Sequence, residues 1–126
     1  MPTAINSATY AAVPIGTVST TLTINGETRT RAIEPWTTLL DLLRVRGITS
    51  IALAGMMTHM CVDTTTRAAF DLGFDCHLAH DACATRDLAH NGKTVEAAQV
   101  QTAYMAALGQ VFAKVMSTQE LCASLA

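Results

Sequence analysis

Residues 54–69 carry the sequence AGMMTHMCVDTTTRAA, which follows an apolar run and opens a helical pattern. The apolar run, residues 48–54, indicates a buried strand, and the pattern from about Met60 to Leu72 indicates a helix. The chain would leave the strand through Gly55 and bring Cys61 near the first turn of the helix. Unpaired backbone N–H groups and the helix dipole at such a place stabilise a thiolate. Cys61 is therefore a candidate nucleophile. The alternative is a small core residue, because free cysteine is among the most buried residue types.

Beyond residue 47 the chain alternates short apolar runs with helical patterns. The apolar runs cover residues 48–54, 74–79 and 111–116, and the helical patterns cover residues 60–72 and 94–108. Such alternation is typical of βαβ units and a parallel sheet. Near-continuous apolar strands also suit a sheet that is covered on both faces. The sequence therefore predicts an α/β fold: a three-layer, Rossmann-like half sheet of about three parallel strands with flanking helices.

A β-hairpin is predicted before this α/β part. Residues 17–24 are rich in β-branched side chains, and residues 27–33 alternate as a returning strand does. The dipeptide Asn25-Gly26 between them tolerates the positive φ angles of a tight type I′ turn. Pro35 then ends the second strand, since proline donates no hydrogen bond to a sheet.

A short helix is predicted between the hairpin and the sheet. Leucines follow a helical pattern after Thr38, and Gly47 closes the pattern as a C-cap. A chain of 126 residues has room for one domain. We therefore expect an irregular leader over residues 1–16 and a single α/β domain over residues 17–126, of which residues 17–36 are the hairpin segment.

Composition excludes several classes of protein. Half of the residues are hydrophobic and only 14% are charged, so the chain is not intrinsically disordered. Its eight Lys and Arg residues are scattered, which argues against nucleic acid as a partner. No apolar stretch approaches the length of a membrane span, and residues 1–20 lack the charged start of a secretory signal. We therefore expect no membrane partner, a cytoplasmic location and four reduced cysteines.

A specific pattern of residues surrounds Cys61. It comprises Gly55-Met-Met-Thr-His-Met-Cys-Val62, then Thr65, Arg67, Ala68 and Ala69, and then Asp81-Ala-Cys-Ala-Thr85. With this pattern, residues 37–126 resemble the isochorismatase-like cysteine hydrolases, which include nicotinamidases and N-carbamoylsarcosine amidases. The resemblance implies a parallel α/β fold, Cys61 as nucleophile, a cis peptide bond between Met56 and Met57, and an oxyanion hole from the backbone N–H groups of Met57 and Cys61. Donors aimed at a developing oxyanion suit acyl transfer.

The pocket beside the nucleophile can be assigned only in part. His59 and Thr58 are candidate pocket residues because they lie next to Cys61 in the sequence; a solvated histidine is the alternative for His59. The substrate implied by the resemblance is a small molecule with an amide or a related C–N or C–O bond.

The chain departs from the family pattern in two places. The pattern has an Asp on the first strand as general base and a Lys after a middle strand, both well before the cysteine. Here the first Asp is Asp41, inside the helix that leads to the nucleophile strand, and the first Lys is Lys93. Neither takes over the family role, because ligands bind at the carboxyl ends of parallel strands and Asp41 would lie on a face of the sheet. We expect weak or no activity unless a partner chain supplies both groups.

Residues 18–44 resemble a second family, through Thr21-Leu-Thr-Ile-Asn-Gly-Glu-Thr-Arg-Thr30 and Pro35-Trp-Thr-Thr-Leu-Leu-Asp-Leu-Leu-Arg44. They are similar to the opening hairpin and helix of the iron–sulfur subunit of xanthine and aldehyde dehydrogenases. That family continues with a C-x4-C-x2-C run that binds a [2Fe–2S] cluster. Residues 50–54 of this chain contain no cysteine, so no iron–sulfur cofactor is expected.

The sequence also contains candidate ligands for zinc. Several potential ligands lie close together in the sequence: Cys76, His77, His80, Asp81, Cys83 and His90. Their spacings match no usual zinc motif, and Cys76 and His77 are neighbours that point to opposite faces of a strand. We expect no metal, with Asp81 holding the next loop by hydrogen bonds to its backbone.

Two functions follow as hypotheses. The first is an isochorismatase-like cysteine hydrolase that acts through a Cys61 acyl-enzyme and is impaired by the missing Asp and Lys. The second is a catalytically inactive fusion remnant or interaction protein of the same fold. The half sheet would leave an edge beside the nucleophile strand, and exposed edges invite pairing. We expect either that the hairpin, residues 18–33, partly covers this edge or that two chains associate across it as a homo-oligomer.

Overall fold

The computed structural model describes residues 16–24, 26–35 and 37–124. Most of the expected leader, residues 1–16, and Asn25 of the expected hairpin turn lie outside these ranges. The chain divides between Thr38 and Leu39 into two compact units. The predicted domain boundaries stay a prediction, and each unit is described by itself below.

The first unit contains the expected antiparallel hairpin. Strands β1 (Val18–Ile24) and β2 (Glu27–Ile33) pair in register from Val18 opposite Ile33 to Ile24 opposite Glu27. Gly26 has φ +80°, a conformation that glycine adopts without steric cost. Cross-strand hydroxyl pairs add to the backbone ladder, as between Thr21 and Thr30 at 2.9 Å.

The second unit alternates helices and strands. Its elements are α1 (Leu39–Val45), β3 (Ser50–Met56), a π-helical turn (Thr58–Val62), α2 (Asp63–Asp71), β4 (Asp75–Ala84), β5 (Leu88–His90), β6 (Lys93–Val95), α3 (Ala97–Val111), β7 (Lys114–Met116) and α4 (Thr118–Ser124). Helix α1 ends at Val45, and Gly47 follows it with φ +74°, as expected for a glycine that closes a helix. No helix within the described residues is long and apolar enough to cross a membrane.

The sheet of this unit has three parallel strands in the order β3-β4-β7. This arrangement, flanked by helices and preceded by the hairpin, confirms the predicted α/β fold. The first half of β4 pairs regularly with β3, from Ser50 opposite Asp75 to Leu53 opposite Leu78. Pairing then resumes with Gly55 opposite Cys83. Between these two paired stretches β4 has four residues, 79–82, whereas β3 has only Ala54. Strand β3 lies at one edge of the sheet, and β7 lies at the other.

The core lies on one face of this sheet. Ile51 and Leu53 of β3 share that face with Cys76 and Leu78 of β4, because side chains two residues apart in a strand point the same way. Helices α2 and α3 cover them with buried residues, among which Ala69 and Leu108 are fully enclosed. On the other face, Leu121 of α4 is buried. The core therefore fixes the strand from which the chain enters the π-helical turn.

Several boundaries of strands and helices differ from the expectation. Strand β4 extends to Ala84, and α3 runs on to Val111, which leaves only residues 114–116 for the last strand. Helix α3 begins at Ala97, whose backbone N–H donates to the carboxylate of Asp87 at 2.8 Å.

Strands β5 and β6 form a small hairpin that was not predicted. Its turn contains Asn91 and Gly92, both at positive φ. The same dipeptide predicted the first hairpin correctly, so the signal for the second was present in the sequence.

Candidate functional site

The candidate site begins where β3 ends. Gly55 has φ +135°, and the peptide bond between Met56 and Met57 is cis, as the resemblance implies. The π-helical turn, residues 58–62, follows at once and continues into α2. The carbonyl oxygen of Met57 accepts hydrogen bonds from the backbone N–H groups of Met60 at 2.9 Å and Val62 at 3.3 Å. These bonds close the first turn of the helical segment that begins at Thr58 and place Cys61 near its start.

Cys61 is exposed and lines a cleft of about 190 Å³. The other residues around this cleft are Leu53, Ala54, Gly55, Met56, Val62 and Thr65. Among these described lining residues, Cys61 has the only ionisable side chain, and Thr65 adds a hydroxyl group. The cleft therefore combines an accessible thiol with a mostly apolar wall next to the carboxyl end of a parallel strand, where α/β proteins bind ligands.

The two candidate pocket residues lie elsewhere. Thr58 is fully buried, and its hydroxyl donates to the side-chain oxygen of Gln101 at 2.7 Å. His59 is half-buried, with its Nδ1 hydrogen-bonded to the hydroxyl of Thr85 and its ring in an edge contact with Tyr104. Neither residue is among those that line the Cys61 cleft. The structure therefore directs both side chains towards β4 and α3.

Helix α2 is tied to the C-terminal end of α3. Arg67 makes an ion pair with Asp63 one turn earlier, at 2.9 Å. Its guanidinium also lies 4.3 Å from the ring centre of Phe112, which makes an edge-to-face contact with Phe70. Arg67 thus has structural partners on α2 and just after the end of α3.

The second part of the sequence pattern, residues 81–85, links β4 to its neighbours. The carboxylate of Asp81 accepts hydrogen bonds from the backbone N–H and the hydroxyl of Thr118, each at 2.7 Å. These bonds lower the pKa of Asp81 and support the start of α4. Asp81 therefore holds a helix from a distant part of the chain, where the sequence predicted contacts within the next loop. Burial raises the pKa of the Cys83 thiol, which packs against the core.

The potential metal ligands in and after β4 are dispersed. Cys76 is buried, and burial raises the pKa of its thiol. His77 points to the opposite face and contacts the Asp75 carboxylate at 3.2 Å. Across residues 16–24, 26–35 and 37–124 no group of three or more His, Cys, Asp or Glu side chains converges on a place for a metal ion.

Residues 101 and 104 were missed by the sequence analysis. Gln101 and Tyr104 lie three positions apart on α3 and contact Thr58 and His59 respectively. Helical spacing alone would have placed them on one face of α3, but nothing local indicated that this face meets the turn before Cys61.

Together, the parallel sheet, the turn at the end of β3 and the exposed cysteine define an α/β protein built around a cysteine-bearing strand-to-helix turn. The sequence profile of the isochorismatase domain matches residues 28–120. The chain belongs to the isochorismatase family.

Individual relatives agree with this assignment. The chain is 43% identical over 77 residues to the uncharacterised isochorismatase family protein YddQ of Bacillus subtilis, a match that covers 61% of this chain and 43% of YddQ. A candidate isochorismatase hydrolase from Oleispira antarctica has a similar structure, with a TM-score of 0.62 and 54% identity over 66% of this chain and 46% of that one. An isochorismatase from Pseudomonas putida has a TM-score of 0.62 and 39% identity over 65% and 42% of the two chains. The chain thus spans less than half the length of these relatives.

Proposed function

We propose that the chain provides the nucleophile half of an isochorismatase-family cysteine hydrolase site. The observation that supports this most is the exposed thiol of Cys61 in a mostly apolar cleft at the carboxyl end of β3. The substrate is a small molecule with an amide or a related C–N or C–O bond, since acyl transfer is the chemistry that the family resemblance implies.

The proposed reaction begins with the Cys61 thiolate. Its sulfur attacks the carbonyl carbon, a C–S bond forms, and the carbonyl electrons move to oxygen. The backbone N–H groups of Met57 and Cys61 stabilise this oxyanion. The C–N or C–O bond then breaks as the leaving group takes up a proton, and water hydrolyses the thioester to release the acid and return the thiol.

Proton transfer is the step for which this chain is poorly equipped. A base is needed to take the thiol proton, and an acid is needed for the leaving group. The described residues lining the cleft include no carboxylate and no lysine. We therefore propose that the 126-residue chain has weak or no hydrolase activity unless a partner chain supplies these groups.

We further propose a cytoplasmic location and homo-oligomerisation for the chain, and a similarity of residues 18–44 to the iron–sulfur subunit of xanthine and aldehyde dehydrogenases.

Site-resolved alkylation tests the nucleophile. Iodoacetamide labelling is followed by peptide mass spectrometry from about pH 5.5 to 9, a range that separates activated from ordinary thiols. Cys122 is the internal control, because it is also exposed. We expect Cys61 to label rapidly at a pH below neutral at which Cys122 labels slowly. Equal labelling of the two residues at every pH would refute the proposal and favour a remnant without a finished site.

A hydrolysis assay tests the impairment separately. The chain and its Cys61→Ser variant are incubated with nicotinamide, isochorismate and an N-carbamoyl amino acid. We expect little or no turnover by either. Turnover by the unmodified chain that is lost in Cys61→Ser would show that the site is complete without a partner.

A further inference from the structure

We propose that Thr58 and Gln101 act as a positioning pair that holds the turn carrying Cys61, so that Gln101 on α3 governs the reactivity of a thiol it does not touch. The proposal rests on the proposed role of Cys61 as nucleophile. It adds a residue that lies 40 positions after the cysteine in the sequence.

Thr58 begins the π-helical turn and lies three residues before Cys61. Its side chain is completely buried, and its hydroxyl lies 2.7 Å from Oε1 of Gln101 and 3.2 Å from the carbonyl oxygen of Ala84. A hydroxyl has one proton, so the shorter contact to Gln101 is the stronger hydrogen bond. A buried hydroxyl that lost this partner would be costly, which fixes Thr58 in one orientation.

Gln101 connects this hydroxyl to a third element. Its Nε2 donates to the carbonyl oxygen of His80 at 3.0 Å. His80 lies among the residues where β4 departs from regular pairing with β3. One half-buried amide therefore joins the turn, α3 and the irregular part of β4 through two directional bonds.

A parallel contact supports the next residue of the turn. His59 is hydrogen-bonded to Thr85, the residue immediately after β4, and meets the ring of Tyr104 edge-on, with ring centres 6.2 Å apart. Gln101 and Tyr104 lie on one face of α3, three residues apart. The neighbouring residues Thr58 and His59 are thus both held by side chains of α3, whereas Cys61 lines the cleft, which neither of them lines.

This arrangement bears on reactivity because the turn holds both the thiol and the amide groups proposed to bind the oxyanion. Displacements of about 1 Å at such a site can change rates by about 100-fold. The Thr58–Gln101 bond acts through backbone placement, so its loss should change the reactivity of Cys61 without removing any group that contacts a substrate.

A double-mutant cycle tests the pair. Thr58→Val and Gln101→Met remove the polar groups with little change in volume, and the double variant removes both. Gln110→Met is the matched control, because Gln110 is an exposed glutamine on the same helix. For each protein, the alkylation rate of Cys61 is measured against that of Cys122 as a function of pH, together with the melting temperature.

We expect each single variant to lower the Cys61-to-Cys122 rate ratio by about fivefold to tenfold and to shift its pH profile, and the double variant to be no worse than the poorer single one. Thr58→Ser should restore most of the ratio, and Gln110→Met should leave it unchanged. A lower melting temperature with an unaltered ratio and pH profile would mean that the pair is only structural, which would overturn the proposal.

Hydrogen exchange separates failure of this proposal from failure of the nucleophile role. If Cys61 labels like Cys122 in the unmodified chain, the proposed function fails. The positioning role then requires faster exchange of the amides of residues 58–62 in Thr58→Val and Gln101→Met but not in Gln110→Met. Unchanged exchange in the two variants would overturn it.

Discussion

The two outer strands of the sheet differ in length and in chemistry. Strand β3 has seven residues, SIALAGM, and none of them is charged. Strand β7 has only three residues, and it begins with Lys114, whose ammonium group lies 2.8 Å from the Asp75 carboxylate. In the described parts of the chain, neither outer edge pairs with a further strand. Short strands and lysine are means by which proteins protect a sheet edge.

By these two features β7 is a protected end of the sheet, whereas β3, within the described residues, has neither of them. Helix α4 starts two residues after β7. At its start the Ser117 hydroxyl oxygen accepts a hydrogen bond from the backbone N–H of Glu120, and the Glu120 carboxylate accepts hydrogen bonds from the backbone N–H and the hydroxyl of Ser117. Beside β3 lies the Cys61 cleft, which includes the exposed side chain of Met56. The open edge and the candidate site therefore occupy the same side of the unit.

The largest expected effect concerns the apolar anchors of the two edge strands. The buried side chains form two clusters, of which one contains Val62, Leu78, Met105 and Leu108 and the other contains Ala69, Phe74 and Cys76. Leu53 of β3 packs against both clusters, whereas Val115 of β7 packs only against the first. We expect Leu53→Ala to lower the free energy of unfolding by about 2 kcal/mol and Val115→Ala by about 1 kcal/mol. Urea denaturation measures both. A loss for Val115→Ala that equals or exceeds that for Leu53→Ala would remove the energetic difference between the two edges.

A smaller effect is expected on association. If two chains pair across β3, a charge introduced at exposed Ala52 should oppose the contact, because burying an unpaired ammonium group is costly. We expect Ala52→Lys to raise the dissociation constant by about tenfold or more in sedimentation experiments. Ala107→Lys, at an exposed position on α3, is the control. A chain that sediments as a monomer at every concentration would exclude pairing and leave only the hairpin to cover this edge.

The smallest effect concerns the charge pair at β7. The hydrogen bond from Lys114 is the main cause of the lowered pKa of Asp75, with His77 adding to it. Because the folded-state pKa lies below the unfolded value of about 3.9, the ion pair stabilises the fold above that value and is lost as the pH falls through the folded pKa. Lys114→Met should therefore melt slightly below the unmodified protein at pH 7, and the gap should close as the pH falls through the folded-state pKa of Asp75. A gap that is independent of pH would assign the effect to packing of the lysine stem.

The sequence predicted the fold well where the signals were local or periodic. The alternating apolar runs indicated three parallel strands, and Gly47 and the turn at Gly26 marked boundaries that the structure confirms. The pattern did not give the length of β4, because His80 and Asp81 interrupt the apolar run while the backbone stays extended. The pattern also did not place the start of the last strand at Lys114, because Val111 and Phe112 suit the end of a helix as well as a strand.

The site was only partly accessible from sequence. The place of Cys61 after an apolar strand followed from composition and glycine position, although no residue of β3 is fully buried. The orientation of Thr58 and His59 did not, because it depends on Gln101, Tyr104 and Thr85, which are distant in the sequence. Adjacency to a nucleophile gives no information about which side of a turn a side chain occupies.

The irregular pairing of β4 divides that strand into two parts with different neighbours. Residues 75–78 pair with β3 within the core, and residues 83–84 pair with Gly55 and Met56 beside the cysteine turn. The intervening residues 79–82 act as a spacer whose length sets the second register independently of the first. Insertions or deletions within residues 79–82 could therefore change the backbone next to the thiol during evolution while the pairing of residues 75–78 with β3 is kept.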